Sequence, residues 1–482
     1  MKKFLLYVAI ILLLTAGMAA AADESWIEFG GDYQLRYDNL VGEVVDHTEY
    51  ASNEPVRAHK VWNDAIFTNR YGINIKANPV EDVSFKLRLQ MYKIWGHQTS
   101  MPIHGMYFGS PGMLLPTMDQ AMGRVPGGGE VWADQAYMSW SNIFGYPVWF
   151  SIGRKPSSGG APGNVKLNLE KTGSAGVPGN LIDSAFDGYT LGWAPDIEAL
   201  PGFFMKYCQG KGADGGYNTG YYNNPDGSSV YGKYASGHNP SWFEYDRDTD
   251  FAGLMTTWTT SPEFHVETLI MGAWNIMGAP SDGMNFKYLN WPNDVSMGNA
   301  KWWGMTIMGR PIDNLNIFGS IGQTFWEPSE KDEAFGFGMV WFRDHVARAR
   351  HSGTGWYMGG RYDIPSTGTK IGLEYNGGTK YWMPFVPTSN DIWGNKLATR
   401  GNVYEIYIIQ ELDDKPVAKR GKAFFRVGYQ YYSFKYNAPL NWLEVPRRIT
   451  DLSVNDTHGE GDVFFVPLKT AKDLYMIFDV LF

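Results

Sequence analysis

Hydrophobic and polar residues alternate one by one along most of this chain. Close to the start, one set of alternate positions holds Ile27, Phe29, Tyr33, Leu35 and Tyr37, and the intervening set holds Glu28, Asp32, Gln34, Arg36 and Asp38. In the last ten residues, DLYMIFDVLF, the apolar set is Leu474, Met476, Phe478, Val480 and Phe482. A period of two residues is typical of β-strands whose two faces meet different surroundings.

About sixteen such stretches follow one another, each close to the roughly 9–11 residues that a tilted strand needs to cross a membrane. The connections alternate in length: long segments rich in Gly, Pro, Ser and Asn are followed by tight ones such as NPVED, SPE and PIDN. A soluble β-sandwich has no reason to sort its connections in this way. The pattern predicts an all-β fold, a transmembrane antiparallel up-and-down β-barrel of about 16 strands with short periplasmic turns and long extracellular loops.

The segment Asp332–Gly353 leaves the strand count open, because it fits either a short helix in an extracellular loop or two further strands, which would make about 18. A barrel of either size is too wide for side chains to fill, so its interior should hold water and its apolar face should meet lipid. Tyr and Trp near the strand ends should form interfacial belts. The last strand should pair with the first, since an open edge cannot survive in lipid.

The first residues have the layout of a secretory signal peptide. Lys2 and Lys3 precede an apolar run from Phe4 to Leu14, and small residues follow up to Ala22. The run is too short to span a bilayer, which takes about 20 residues. We therefore expect residues 1–22 to be a cleaved signal peptide and residues 23–482 to form the barrel in the outer membrane. Phe482 fits the terminal signature by which the barrel-assembly machinery recognises such chains.

Composition narrows the classes of function. The net charge of −9 becomes two units more negative without Lys2 and Lys3, which argues against nucleic acid as a partner. The single cysteine, Cys208, excludes internal disulfides, covalent c-type haem and cysteine-rich metal sites. The chain carries no G-x-S-x-G, H-E-x-x-H, phosphate-binding or dinucleotide-binding motif. We therefore predict no enzymatic activity, no metal and no cofactor.

Charged residues recur on the polar faces of the predicted strands. Ionisable groups at membrane depth are costly unless they line water or pair with one another. They either simply keep a wide lumen wet or set its ion preference by a transverse field. The candidates for the lumen wall are Glu28, Asp32, Arg36, Arg70, Lys86, Arg88, Arg361, Glu374 and Arg426, together with Lys76 and Lys370.

A second group of candidates surrounds the third long connection. The stretch SIGRKPSSGGAPGNVKLNLEKTGS has Pro156 directly after Arg154 and Lys155, and proline interrupts strand pairing. The third connection is also the one that porins fold inward to narrow the pore. We therefore expect Arg154, Lys155 and Lys166 either to form a constriction or to belong to an ordinary external loop.

Several stretches resemble a known family: GRKPSSGGAP, AFDGYTLGW, GGRYDIPSTGTKIGLEYNGGTKYW, LATRGNVYEIY and KAFFRVGYQYY. The family consists of bacterial outer-membrane proteins from anaerobic metal- and sulfate-reducing Proteobacteria and their relatives, classed as a domain of unknown function. The resemblance extends from the first strand to Phe482 and implies a porin-like barrel. It transfers no substrate and no site residue. Those bacteria often build barrel sheaths around multihaem cytochromes.

Taken with the strand pattern, these observations predict a porin-like channel for passive diffusion of small hydrophilic solutes or ions. It would be embedded in outer-membrane lipid as a monomer or a homotrimer. One alternative is a barrel scaffold that sheathes a multihaem cytochrome partner. Another is an outer-membrane hydrolase or a transporter of hydrophobic substrates, which an apolar lumen or a Ser/His/Asp cluster on the membrane face would favour.

Overall fold

Sixteen antiparallel strands close into a barrel in the computed structural model of this chain. The structure describes residues 26–49, 53–96, 124–169, 178–213, 222–223, 229–230, 249–276, 298–328, 350–386, 390–412, 421–437, 446–455, 462–463 and 466–482. The barrel strands are β1 (Ile27–Val44), β2 (His59–Val80), β3 (Val83–Ile94), β4 (Trp132–Trp140), β5 (Val148–Ser157), β6 (Ser184–Trp193), β7 (Phe204–Ala213), β8 (Thr249–Thr260), β9 (Phe264–Trp274), β10 (Gly298–Ile312), β11 (Leu315–Pro328), β12 (His351–Ile364), β13 (Thr369–Gly378), β14 (Gly401–Glu411), β15 (Lys422–Phe434) and β16 (Leu468–Leu481).

Each strand pairs with its neighbours in sequence, and β1 closes the barrel against β16. At this seam Tyr37 lies opposite Met476, and the backbone amides of Gly31 and Phe482 donate to each other's carbonyl groups at 2.7 and 3.0 Å. The predicted barrel and its seam are therefore confirmed. The alternative of eighteen strands is wrong, because β11 pairs directly with β12 and leaves no place for strands between them.

Short and long connections alternate around the barrel as predicted. The short ones are residues 81–82, 141–147, 194–203, 261–263, 313–314, 365–368 and 412–421. The long ones are residues 45–58, 95–131, 158–183, 214–248, 275–297, 329–350, 379–400 and 435–467. We call residues 158–183 loop 3, residues 379–400 loop 7 and residues 435–467 loop 8. The signal-peptide prediction for residues 1–22 and most of the segment Asp332–Gly353 lie outside the described residues.

The two faces of the strands differ as the alternation requires. On β13, Leu373 is 60% exposed on the outer face, whereas the next residue, Glu374, is buried on the inner face. Exposed aromatic side chains mark both ends of the strands, for example Trp193 and Trp258 near the short turns and Trp62 near the long loops. This arrangement suits a wall whose outer surface is solvated by lipid between two interfacial belts.

Few described residues are helical. The described part of loop 3 contains one α-helical turn, α1 (Gly163–Lys166), and the described residues also form three 3-10 turns, Ile143–Gly145, Lys396–Ala398 and Ile449–Asp451. Within the described part of the chain, no helix has the length and apolar character needed to cross a membrane. Within the described ranges, two small sheets lie outside the barrel wall. One has three strands, His47–Glu49, Pro55–Val56 and Asp462–Val463, and the other has two, Tyr222–Asn223 and Ser229–Val230.

The protein core lies inside the barrel, where long loops pack against the inner wall. One cluster joins Leu181 of loop 3 and Trp382 and Phe385 of loop 7 to Trp302 and Trp326 of the wall. Another joins loops 7 and 8 to strands on both sides of the seam. The expectation of a wholly water-filled interior is therefore wrong for this part of the lumen: Arg36 and Arg426 are each only 1% exposed. Sequence periodicity describes the wall and contains no information about loops that return into it.

Candidate functional site

The nine predicted lumen residues all occupy inward-facing positions of the wall. Cross-strand partners share a face, and the register places Glu28 beside Lys76 and Lys86, and Arg36 beside Ile477 and Arg426. The nine fall into two groups. Glu28, Asp32, Arg36, Arg70, Lys86 and Arg88 belong to β1–β3, and Arg361, Glu374 and Arg426 belong to β12, β13 and β15.

Ion pairs connect most of the first group. Asp32 carboxylate oxygens lie 2.6 Å from Arg88 Nη2 and 3.7 Å from Arg70 Nε. Arg88 Nε also lies 3.5 Å from Asp134 Oδ2, and Asp134 binds Arg124 of the second long connection. This network ties that connection to the inner wall. Its charges are therefore largely satisfied by one another.

Glu28 and Lys86 lie closer to the short turns. Lys76 Nζ is 2.9 Å from Glu28 Oε1, and both side chains are exposed. Lys86 Nζ lies 5.7 Å from the centre of the Tyr137 ring, which is a cation–π distance. Accessible charged side chains were expected along the whole lumen, and Glu28 and Lys76 at this end have that exposure.

At the seam, Arg36 is held by two buried carboxylates. Its Nε donates to Asp38 Oδ1 at 2.7 Å, and its Nη2 donates to Asp473 Oδ2 at 3.0 Å. The Arg36 guanidinium also lies 4.8 Å from the Tyr475 ring centre. Loops cover these groups, so Arg36 stabilises the seam and does not face open water.

Loop 3 crosses the lumen to reach the opposite wall. Lys166 Nζ lies 2.6 Å from Glu405 Oε1 on β14. Arg361 donates to the carbonyl oxygen of Val165, and Arg426 donates to that of Lys166. Farther along the loop, Asn168 Nδ2 donates to Glu411 Oε1 at 2.9 Å. Arginines of the wall thus bind carbonyl groups of α1 and hold this loop inside the barrel.

Loop 7 contacts the same part of the inner wall as loop 3. Lys396 Nζ binds Glu374 Oε2 and lies 2.5 Å from Glu405 Oε2. Two tyrosine hydroxyl groups of the wall also bind these carboxylates: Tyr475 donates to Glu405 at 2.5 Å, and Tyr357 donates to Glu374 at 2.7 Å. We call Lys166, Lys396, Glu374 and Glu405 the anchor cluster. Two lysines from two loops neutralise two glutamates of the wall.

Asp391 of loop 7 extends the cluster. Its carboxylate accepts from the Lys396 backbone amide at 3.1 Å and from Gln430 Nε2 at 2.9 Å. Burial by itself raises the pKa of Asp391, but Lys166 and Lys396 outweigh burial and lower it. Burial likewise lowers the pKa of Lys396, but Glu374 and Glu405 outweigh burial and raise it well above its usual range. The loop residues therefore stay charged at neutral pH, which keeps the ion pairs intact.

The prediction for Arg154 is wrong. Strand β5 continues through Pro156 to Ser157, so Arg154 belongs to the wall and not to loop 3. Its position alternates with the inward positions and faces outward, where Nη1 lies 3.4 Å from Asp187 Oδ2 of β6. Pro156 has no N–H to donate, yet it pairs in register with Ala185. The proline therefore did not end the strand as the sequence suggested.

Lys155 faces inward but is also part of the wall. It binds the Ser151 hydroxyl group and lies 5.9 Å from the centre of the Phe186 ring. Lys166 is the one member of the predicted constriction group that belongs to the described part of loop 3. The structure therefore brings Lys166 together with the lumen residues Glu374 and Arg426 and leaves Lys155 on the other side of the lumen.

Sequence reasoning missed three residues that organise this site. Glu405 occupies a polar position in the alternation of NVYEIYIIQEL, so the period of two could have identified it. Lys396 lies in a loop without periodicity and gave no signal. Lys206 faces the lumen at the same strand parity as Cys208 and lies opposite Gly192 and Met255 of the neighbouring strands.

Among the described residues, no group of three or more His, Cys, Asp or Glu side chains is arranged to hold a metal ion. Cys208 is a free thiol. Its Sγ lies 3.2 Å from Thr190 Oγ1, on the inner face of the wall.

Solved structures with a similar fold include several outer-membrane proteins. OmpT of Vibrio cholerae is 9% identical, with a TM-score of 0.43 and coverage of 95% of this chain and 99% of that one. OprB of Pseudomonas putida is 10% identical, with a TM-score of 0.45 and coverage of 95% and 94%. An anion-selective porin from Comamonas acidovorans is 9% identical, with a TM-score of 0.43 and coverage of 95% and 100%.

No curated protein matches the chain in sequence. A family model described as a protein of unknown function (DUF3373) matches residues 60–482, which is most of the chain. That range runs from β2 through the final strand and includes loops 3 and 7 with all four residues of the anchor cluster. This chain, which forms a closed sixteen-strand barrel, belongs to the DUF3373 family.

Proposed function

We propose that this protein is an outer-membrane channel for passive diffusion of small hydrophilic solutes or ions, narrowed by loops 3 and 7. One observation carries the proposal: the anchor cluster holds both loops inside a closed barrel with a charged inner wall. Lys166 and Lys396 approach from the loops, and Glu374 and Glu405 project from the wall. The periplasmic end of the lumen also carries accessible charged groups. Such groups suit a lumen that holds water and solutes, and they would have no use in a barrel that is closed along its whole length.

Passage would follow the concentration gradient. The narrowed cross-section would exclude large solutes, and the remaining charged groups would set ion preference through their field. Glu28, Lys76 and Lys86 lie at the end of the lumen nearest the short turns, where solutes meet exposed charge. The anchor cluster itself is internally neutral, so its main effect on transport would be through the position of the loops.

Recording single channels in planar lipid bilayers tests this proposal. We expect the wild-type protein to give small, discrete conductance steps. A double variant, Lys166→Ala with Lys396→Ala, should release both loops and increase the conductance severalfold, since conductance rises with the open cross-section. Lys60→Ala removes an exposed lysine of the wall and should leave the conductance unchanged.

Silence of the wild-type protein and of the double variant, both shown to be folded by circular dichroism, would overturn the channel. Co-purification of a haem protein with a silent barrel would instead support the cytochrome scaffold. The proposal also includes export through cleavage of residues 1–22, assembly through Phe482, residence in outer-membrane lipid and existence as a monomer or a homotrimer. Mass spectrometry of the purified protein in detergent would measure the cleavage site and the number of subunits.

A further inference from the structure

The outer face of the wall carries a groove of about 810 Å³ across β11–β15. Neighbouring strands lie about 4.8 Å apart, so a groove across these strands is about 19 Å long. This length is close to the roughly 15 Å of hydrocarbon in one leaflet, which is half the usual thickness of about 30 Å. Its lining is mainly apolar and includes Ile317, Met358, Ile371, Leu373, Ile406 and Tyr404.

A glycine explains why this part of the wall is concave. Gly360 of β12 pairs with Ile317 on one side and with Leu373 on the other. Cross-strand partners share a face, and Ile317 and Leu373 are exposed on the outer face. Gly360 has no side chain, so a gap about 4.8 Å wide, the width of one strand, separates its two neighbours. An extended alkyl chain fits this gap, because carbon atoms pack at about 3.5–4.0 Å from one another.

A row of tyrosines borders the groove on the side nearer the long loops. Tyr375 of β13 pairs with Tyr404 of β14, and Tyr404 pairs with Tyr431 of β15. The rings of Tyr375 and Tyr404 stack with their centres 5.1 Å apart. Each hydroxyl group can both donate and accept a hydrogen bond. The groove therefore joins an aliphatic floor to a polar aromatic edge, which matches a molecule with an alkyl chain and a hydroxylated head group.

Lys472 of β16 adds a positive charge at the end of this row. It pairs in register with Tyr431 on the outer face, and its side chain is exposed. Among the described residues Lys472 forms no ion pair, whereas Lys211, an outward lysine across the barrel, lies 2.9 Å from Asp250 Oδ1. A lysine at the membrane surface attracts anionic lipid head groups. The edge of the groove is thus suited to a phosphate.

We propose that this groove binds one acyl chain of a phosphorylated glycolipid in the outer leaflet. The chain would lie over Gly360 between Ile317 and Leu373, the sugar would contact the row of tyrosines, and a phosphate would bind Lys472. The inference rests on the proposed residence in the outer membrane and adds a specific lipid to it. The tyrosine hydroxyl groups favour a sugar over a simple phospholipid head group, because they can bond to several sugar hydroxyl groups.

A second copy of the barrel would fit the groove less well. Its wall is convex, so it would bridge the groove and leave the gap at Gly360 unfilled, and an unfilled gap loses dispersion contacts. A flexible alkyl chain can follow the floor. Glu374 and Glu405 also border the groove, but their side chains are buried and paired with the lysines of the anchor cluster. The alkyl chain would therefore meet no unpaired carboxylate from these two residues.

Native mass spectrometry of the full barrel in a nonionic detergent tests the groove, with lipid A added as the phosphorylated glycolipid. We expect lipid A to bind at least about 10-fold more tightly than phosphatidylglycerol, which has acyl chains and a phosphate but no sugar. Lys472→Met should weaken lipid A binding about 10-fold, because it removes a charge-assisted hydrogen bond. Lys472→Arg should retain the binding. Leu373→Trp should weaken it about 10-fold, because the indole would occupy the gap beside Gly360.

Lys211→Met and Ile270→Trp are the matched controls on the other side of the barrel, where Ile270 is exposed on the outer face of β9. Both should bind lipid A like the wild type, and circular dichroism checks that every variant is folded. Equal weakening by the controls, equal binding of phosphatidylglycerol, or dimers that bind no lipid A would overturn the proposal. Single-channel recording separates it from the channel: conductance without specific lipid binding sinks only the groove, and specific lipid binding to a silent barrel sinks only the channel.

Discussion

Buried lysines on the two sides of the lumen have opposite surroundings. On the side of β12–β16, Lys166 and Lys396 meet Glu374 and Glu405 within ion-pairing distance, and tyrosine hydroxyl groups complete the contacts. On the side of β5–β9, Lys155 binds the Ser151 hydroxyl group and lies over the Phe186 ring, and neither Lys155 nor Lys206 forms an ion pair among the described residues. The first arrangement is complete without a ligand and serves structure. The second arrangement leaves both lysines buried outside any ion pair of the described residues.

The comparison is tested most directly by replacing one lysine on each side with methionine, which has a similar length and no charge. Lys396→Met should lower the free energy of unfolding by about 3–5 kcal/mol, because it leaves buried glutamates without their partner. Lys206→Met should be neutral or should raise the free energy of unfolding by about 1 kcal/mol, because it removes an unpaired buried charge. Urea unfolding in lipid vesicles, followed by tryptophan fluorescence, measures both.

Equal destabilisation by the two substitutions would show that Lys206 is as well paired as Lys396. That result would remove the difference between the two sides. Lys60→Met, on the exposed part of β2, should change the unfolding free energy by less than about 0.5 kcal/mol and serves as the control for the substitution itself.

A smaller effect is expected where loop 7 packs on glycine. A methyl group added at Gly355 or Gly378 would lie well inside van der Waals contact with the indole of Trp382, whose Nε1 donates to the Leu397 carbonyl at 2.7 Å. Gly355→Ala should therefore displace loop 7 and cost about 1–3 kcal/mol of unfolding free energy. It should also increase channel conductance.

Gly319→Ala is the matched control, since nothing lies within 4 Å of the added methyl group on the outer face of β11. Its unfolding free energy and its conductance should equal those of the wild type. If Gly355→Ala behaved like this control, the packing of Trp382 would not hold loop 7 in place.

The smallest expected effect concerns pH. The lowered pKa of Asp391 means that its contribution to stability is present above the usual carboxylate pKa of about 4 and is lost as pH falls through the lowered value. The raised pKa of Lys396 means that its contribution is present below the usual lysine pKa of about 10.4 and is lost only above it. Loop 7 should therefore stay docked between about pH 5 and pH 9.

Unfolding of wild type and Asp391→Asn across that range measures this prediction. The substitution should cost about 1 kcal/mol, and the difference should be constant from about pH 5 to pH 9. Asp313→Asn, in an exposed turn, should show no difference at any of these pH values. A difference that grew between about pH 6 and pH 8 would place the titration of loop 7 in the physiological range and contradict the assignment.

Sequence reasoning identified the wall because every barrel strand carries a local signal. A period of two residues predicts which side chains face outward, and it places Met476 on the outer face and Glu374 and Arg426 on the inner face, where the structure has them. Its error at Arg154 came from treating Pro156 as a strand end. An edge or rim position tolerates proline, and the pairing with Ala185 keeps Arg154 in the wall.

The sequence by itself determined the barrel, its outward-facing apolar surface and its closing seam, because alternation and connection length are local properties of the chain. The choice between sixteen and eighteen strands needed the direct pairing of β11 with β12. Only the tertiary structure decided which loops fill the lumen and which charged residues meet there. Lys166, Lys396 and Glu405 are far apart in the chain and meet because loops 3 and 7 return into the barrel. The unpaired Lys206 becomes recognisable only once its neighbours are known, since pairing is a property of three-dimensional contacts and not of residue type.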